Sequence, residues 1–266
     1  MALLDSEHHT LAAADAGAAF AVVIVLLVAG VPLLAALGLA GVVLAQALLI
    51  GGPIIAIAIV RSRSANARRS TGAASLLGLS RPSAKALVAA LLIGASFWYL
   101  SLWLLAPLAE RALSASEREA LSLVFAGDNP LVLKIVALAI APAIFEELLL
   151  RGGVARSLRR VGFAPAIVIS ALLFGALHLS VARFVTTSVL GLVLGFAALS
   201  ARSTLPAIVI HALNNSIALA IASAEGAAIV VVIESNPWLF RITAALMTGA
   251  GIALFWQCHR NQKAAP

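Results

Sequence analysis

Ala141-Pro-Ala-Ile-Phe-Glu-Glu-Leu-Leu-Leu-Arg151 sets two adjacent carboxylates, Glu146 and Glu147, in the middle of an apolar run. The run begins near Leu131, and no other charge falls between Lys134 and Arg151. Read as a helix in a bilayer, it places both glutamates in hydrocarbon, where a central charge costs at least ~2.5–3.5 kcal/mol on insertion scales. A chain that carries such a pair must offset that cost. A polar site between helices, made of these carboxylates and a few partners, does so.

The rest of the chain supports a membrane setting. It is 62% hydrophobic and 11% charged, against about 25% charged in a soluble domain, and its mean hydropathy is +1.08. Several apolar runs reach the ~20 residues that cross a bilayer as a helix. They are continuous rather than alternating, which argues against a barrel. The reading is an all-α polytopic transmembrane bundle of about eight spans, one domain over residues 1–266 with its core at 131–222. The lone Cys258 excludes an intrachain disulfide and a cysteine metal cluster. The first residues lack a basic n-region, so no cleaved signal peptide is expected. His8 and His9 read as a solvated tail.

Residues 16–60 are nearly all apolar, too long for one span and long enough for two. With Pro32 offering a kink and Gly38–Gly41 a turn, the spans fall at 18–39 and 42–60. A basic loop follows, with a short surface-lying segment at 76–82. Span 3 covers 84–105 with Trp98, Tyr99 and Trp103 near its far end, as an interfacial belt requires, and Pro107 closes it. Ser116-x-x-Glu119 reads as a capping box, ahead of an interfacial helix bearing Leu121, Val124 and Phe125. Spans 4 to 8 fall at 131–150, 165–179, 184–199, 206–222 and 238–256, with a basic loop at 151–160. The segment 227–233 is too short to cross.

Eight spans place 13 of the 18 Lys and Arg on one side and 5 on the other. The positive-inside bias then sets both termini in the cytoplasm of a cell whose inner membrane holds the protein. The same distribution explains the net charge of +7 as topology rather than nucleic-acid binding.

Further polar residues join the glutamates. Span 5 carries Phe174-x-x-x-His178 and span 7 carries His211-x-x-x-Asn215. Glu147 and Arg151 are four apart and share a helix face, whereas Glu146 is turned by about 100°. A carboxylate beside an imidazole can orient and deprotonate water. A second His and an Asn can donate to the oxyanion formed when water attacks a carbonyl. Alternatively, Glu146, His178 and His211 can hold a divalent metal such as zinc. No G-x-S-x-G is present, and Cys258 lies in the tail. Each feature alone has a plainer explanation: an ion pair between Glu147 and Arg151, packing for Phe174, and interhelical hydrogen bonds for His178, His211 and Asn215. Their coincidence on three spans favours a site. One difficulty is depth. At 1.5 Å per residue Glu146 and His211 lie about 8–9 Å from the cytoplasmic helix ends and His178 about 20 Å, so span 5 is expected to begin outside the hydrocarbon.

Glu-Glu-x-x-x-Arg, Phe-x-x-x-His and His-x-x-x-Asn, in that order on successive helices, resemble the CPBP (Abi) family: type II CAAX prenyl endopeptidases and bacteriocin-processing or immunity-associated membrane proteins. Leu77-Gly-Leu-Ser-Arg-Pro82 is similar to a short segment before the core of many members. The resemblance implies a CAAX-protease-like intramembrane hydrolase. Glu146 would activate water with His178, Glu147 and Arg151 would hold the geometry, and His211 and Asn215 would form the oxyanion hole. It admits a glutamate-type peptidase without cofactor or a metalloprotease. The implied partners are the bilayer and a membrane-associated peptide or protein. The rival readings are a non-catalytic regulator or immunity protein binding a partner through the same pocket, and a small proton-coupled transporter.

Overall fold

The computed structural model describes residues 10–64, 72–119, 129–223 and 226–264. His8, His9, Arg68, Arg69 and the helix expected around Leu121, Val124 and Phe125 lie outside the described residues. Among the described residues the structure is helical throughout, without strands.

Helix α1 (Ala13–Ala35) and α2 (Gly38–Arg63) form an antiparallel pair. Their turn needs Gly38 at φ +56°, a left-handed conformation that favours glycine. The short α3 (Ala73–Leu76) precedes α4 (Ala84–Ala112), and α5 spans 115–119. Helix α6 covers 131–155, alternating α-helical and π-helical turns. Then come α7 (Phe163–Leu177), α8 (Val181–Ala201), α9 (Leu205–Ala222), α10 (Ala227–Ser235) and α11 (Pro237–Ala264).

Among the described residues six helices are long and apolar enough to cross a membrane: α1, α2, α4, α8, α9 and α11. The expectation of about eight spans is corrected by the two remaining candidates. Helix α7 has 15 residues, about 22 Å at 1.5 Å per residue, short of the ~30 Å hydrocarbon core. Helix α6 bears Lys134, Glu146, Glu147 and Arg151, and from Leu148 to Ala155 every residue is buried in protein. The residues around Arg151 are therefore no basic loop. Outward faces of α1, α4 and α11 expose Val25, Leu33, Leu102 and Leu246, the apolar surface of a multi-pass membrane protein. Inside, Ile54, Ile93, Leu149, Leu150, Phe174, Leu194 and Ile210 are fully enclosed and knit α2, α4 and α6 to α9.

Two ends of the bundle are tied differently. At the first, residues 77–80 dock on the α8–α9 link. Thr204 donates from its backbone N to the Gly78 carbonyl at 2.9 Å and from Oγ1 to the Leu77 carbonyl at 2.8 Å. Ser203 Oγ donates to the Ser80 carbonyl at 2.6 Å. Leu76 and Leu77 are buried, so this segment is a docked strap rather than a surface-lying one. Its apolar side chains have a core to enter because Thr204 and Ser203 satisfy its backbone carbonyls. The tail also differs from expectation. α11 continues through Cys258, and buried His259 stacks on Phe163 at 4.1 Å between ring centroids.

At the other end α4 passes through Pro107 rather than stopping there. Proline removes only one donor from the helix ladder, freeing the Trp103 carbonyl, a loss that membrane helices tolerate. The capping box there is Ser114 with Glu117, not Ser116 with Glu119. Ser114 Oγ accepts from the Glu117 backbone N at 3.3 Å, and the Glu117 carboxylate accepts from the Ser114 backbone N at 2.8 Å. Glu117 also accepts from Ser180 Oγ, which joins α5 to the start of α8.

Candidate functional site

Glu147 lies at the centre. It is fully buried, and its Oε1 accepts from Arg151 Nη1 at 2.8 Å and from His211 Nδ1 at 2.9 Å. A carboxylate oxygen only accepts, so His211 Nδ1 is the donor and the ring's proton position on that side is determined. Arg151, also fully buried, sends Nη2 to the Gly191 carbonyl at 2.8 Å, and its Cζ sits 4.8 Å from the Phe174 ring centroid. One carboxylate thus joins α6 to α9, and its guanidinium partner joins α6 to α7 and α8. The four-residue spacing of Glu147 and Arg151 makes the first contact local. The others depend on packing. Gly191 matters because a Cβ there would meet the Ala171 backbone Cα at 2.9 Å, so only glycine brings its carbonyl this close to α7 and within reach of Arg151.

Phe174 gathers the two histidines. Its ring meets His178 edge-on at 5.2 Å and His211 at 5.4 Å between centroids. His178 caps α7, with Nδ1 held 2.9 Å from the Phe174 carbonyl. That bond makes Nδ1 the donor and fixes the ring, leaving Nε2 for other partners. Part of the depth difficulty falls on α6. The helix continues buried past Arg151 to Ala155, so Glu146 lies farther from its helix end than a boundary at Leu150 implies.

Glu146 faces a different neighbour. Its Oε1 accepts from Gln46 Nε2 at 3.1 Å, while its Oε2 is buried without a protein partner. Gln46 comes from the π-helical turn Ala45–Gly51 of α2, and Glu146 from the short α-helical stretch Ala141–Glu147 between two π-helical turns. Such turns recur at functional sites because they rotate side chains out of α register. Close approach of α2 to α6 depends on Gly51, where a Cβ would stand 2.4 Å from Phe145 Cδ1. Sequence reasoning passed over Gln46, yet a signal was present: it is the only polar side chain between Ala16 and Val60.

Asn215 accepts at Oδ1 from Asn214 Nδ2 at 3.1 Å, and Asn214 is the more buried of the two. The metal alternative fits poorly. Among the described residues no three of His, Cys, Asp or Glu stand together as a ligand group, and Glu146, His178 and His211 are no exception.

Residues 128–217 match the family model described as type II CAAX prenyl endopeptidase Rce1-like. This is the family that the ordered motifs resemble, and the matched segment holds every site residue named above except Gln46 and Gly51. It supports a protease of the CAAX-protease type at the level of the family. Neither the curated proteins nor the solved structures return a match.

Proposed function

We propose that this chain is an intramembrane endopeptidase that hydrolyses a peptide bond near the cytoplasmic face of the inner membrane, using water activated by Glu146 and His178. The observation that carries the reading is the division of labour between adjacent carboxylates. Glu147 Oε1 takes two donors, the Arg151 guanidinium and the His211 imidazole, whereas Glu146 Oε1 takes only the neutral Gln46 amide; each carboxylate keeps a buried Oε2 without a protein partner. Neighbouring carboxyls in contrasting surroundings are the usual sign of one structural and one reactive group.

In this mechanism Glu146 Oε2 accepts a proton from water as the oxygen attacks the scissile carbonyl carbon, with His178 as its partner. The tetrahedral oxyanion takes hydrogen bonds from His211 Nε2 and the Asn215 amide. Because His211 Nδ1 already donates to Glu147, Nε2 donates only when the ring is doubly protonated. With His211 as imidazolium, the charges of Glu146, Glu147, Arg151 and His211 sum to zero, which a low-dielectric interior requires. Glu146 then delivers its proton to the departing nitrogen as the C–N bond breaks. The products are a carboxylic acid and an amine, and no metal takes part. The substrate is a membrane-associated peptide or protein. The family description points to prenylated CAAX C-termini as one such class.

Comparative membrane proteomics of cells carrying wild type, Glu146→Ala or Arg159→Ala tests this. Intact precursors should accumulate with Glu146→Ala alone. Equal processing by both variants overturns the assignment.

A further inference from the structure

Gln46 approaches the proposed base from outside the family-matched segment. It sits on α2, 100 residues before Glu146 in sequence, and donates from Nε2 to Glu146 Oε1 at 3.1 Å. That bond orders the carboxylate. One oxygen is occupied, and the other, Oε2, is the buried oxygen left for chemistry. The amide is ordered too, because a carboxylate accepts only from the NH₂ side. Its Oε1 is then a second buried acceptor without a protein donor. Two partners of one hydrogen bond therefore present one free acceptor each. Buried acceptors of this kind are stable only when a donor reaches them. A water molecule has two protons to give and keeps its lone pair for attack.

We propose that Gln46 belongs to the working site: its Nε2 positions Glu146, and its Oε1 accepts a hydrogen bond from the second O–H of the water that Glu146 activates, the O–H that stays intact during attack. The inference rests on the peptidase reading and extends it to α2, so that the site is completed by a helix lying outside residues 128–217. Gly51 supports the same contact one turn away, since only a residue without a Cβ lets α2 lie this close to Phe145. Gln46 is otherwise hard to account for in an apolar span, where an amide needs a polar partner to offset its burial.

The test takes the precursor that accumulates intact with Glu146→Ala, purifies it, and measures its cleavage by full-length protein in liposomes. Gln46→Met keeps the side chain's size but has neither donor nor oxygen. It should lower kcat about 10- to 100-fold, the effect of losing a positioned polar group, with KM within about threefold of wild type. Gln46→His keeps an N–H donor and should recover part of that loss. Leu48→Ala, at an exposed position on the same helix, should match wild type. Wild-type kcat in Gln46→Met, or a loss confined to KM or to the amount of folded protein, overturns the proposal. If Gln46→Met does not accumulate in the membrane, Gln46→His against Gln46→Phe decides by the same kcat comparison. Absence of any intact precursor with Glu146→Ala sinks the peptidase reading and this inference together. Precursors that accumulate with Glu146→Ala but are fully processed by Gln46→Met sink the inference alone.

Discussion

His211 Nδ1 donates to Glu147 Oε1 at 2.9 Å, and the same oxygen receives Arg151. A single oxygen atom thereby links α6 to α9 in the interior of a membrane protein. Both donors and the acceptor are buried, so each group depends on the others for the solvation that lipid does not supply.

Removing one member should therefore cost more than removing the pair. Arg151→Met leaves Glu147 charged and enclosed with His211 alone, an expected loss of about 3–5 kcal/mol. Arg151→Met combined with Glu147→Met should regain much of that stability while cleavage stays lost. Thermal unfolding in detergent reads the first quantity and precursor processing the second.

His211→Phe keeps a ring against Phe174 but removes both nitrogens. Stability should fall by about 1–3 kcal/mol for the lost donor to a buried carboxylate. Cleavage should fall by a larger factor, on the order of 10²-fold or more, if Nε2 serves the oxyanion. Kinetics and unfolding measured on the same preparation separate the two effects.

The contact of α2 with α6 can be strained from either side. Gly51→Ala places a Cβ 2.4 Å from Phe145 Cδ1, well inside van der Waals contact, and should lower both stability and activity. Gly51→Ala with Phe145→Leu makes room and should restore a good part of each. Failure of the second change to rescue the first, measured by unfolding temperature and precursor processing, would place the strain elsewhere.

At the opposite end, pH acts through Glu117. Hydrogen bonds from the Ser180 and Ser114 hydroxyls lower its pKa from 4.5 to about 2. A carboxyl with a depressed folded pKa stabilises the fold fully above its unfolded value and loses that contribution as pH falls through the folded one. The contact between α5 and the start of α8 should weaken between about pH 4.5 and pH 2. Hydrogen exchange at residues 114–119 should rise over that range. Glu117→Gln should exchange fast already at neutral pH and respond little to acid.

The parts of the site that were legible in advance are those held together within one helix. Glu147 and Arg151 are four residues apart, and no tertiary information is needed to see that they meet. Phe174 with His178 was recognisable as a helix-face pair for the same reason, whereas Asn215, one turn after His211, bonds its neighbour Asn214. The capping box was misplaced by two residues, because Ser114 and Glu117 have the same spacing and chemistry as Ser116 and Glu119. Only the backbone decides which serine precedes the first turn. The two extra spans came from counting apolar length. α7 is apolar throughout but has only 15 residues. α6 is long enough but carries charges that face the bundle.

By itself the sequence determined that the chain is a helical membrane protein and that a few charged side chains fall inside its apolar helices. These follow from composition and from periodicity along one chain, which are local properties. Tertiary structure decided which partner each charge meets: His211 for Glu147, the Gly191 carbonyl for Arg151, and Gln46 for Glu146. Those choices depend on how closely helices distant in sequence approach, and that distance is set where glycines leave room for a neighbour, at Gly51 and Gly191.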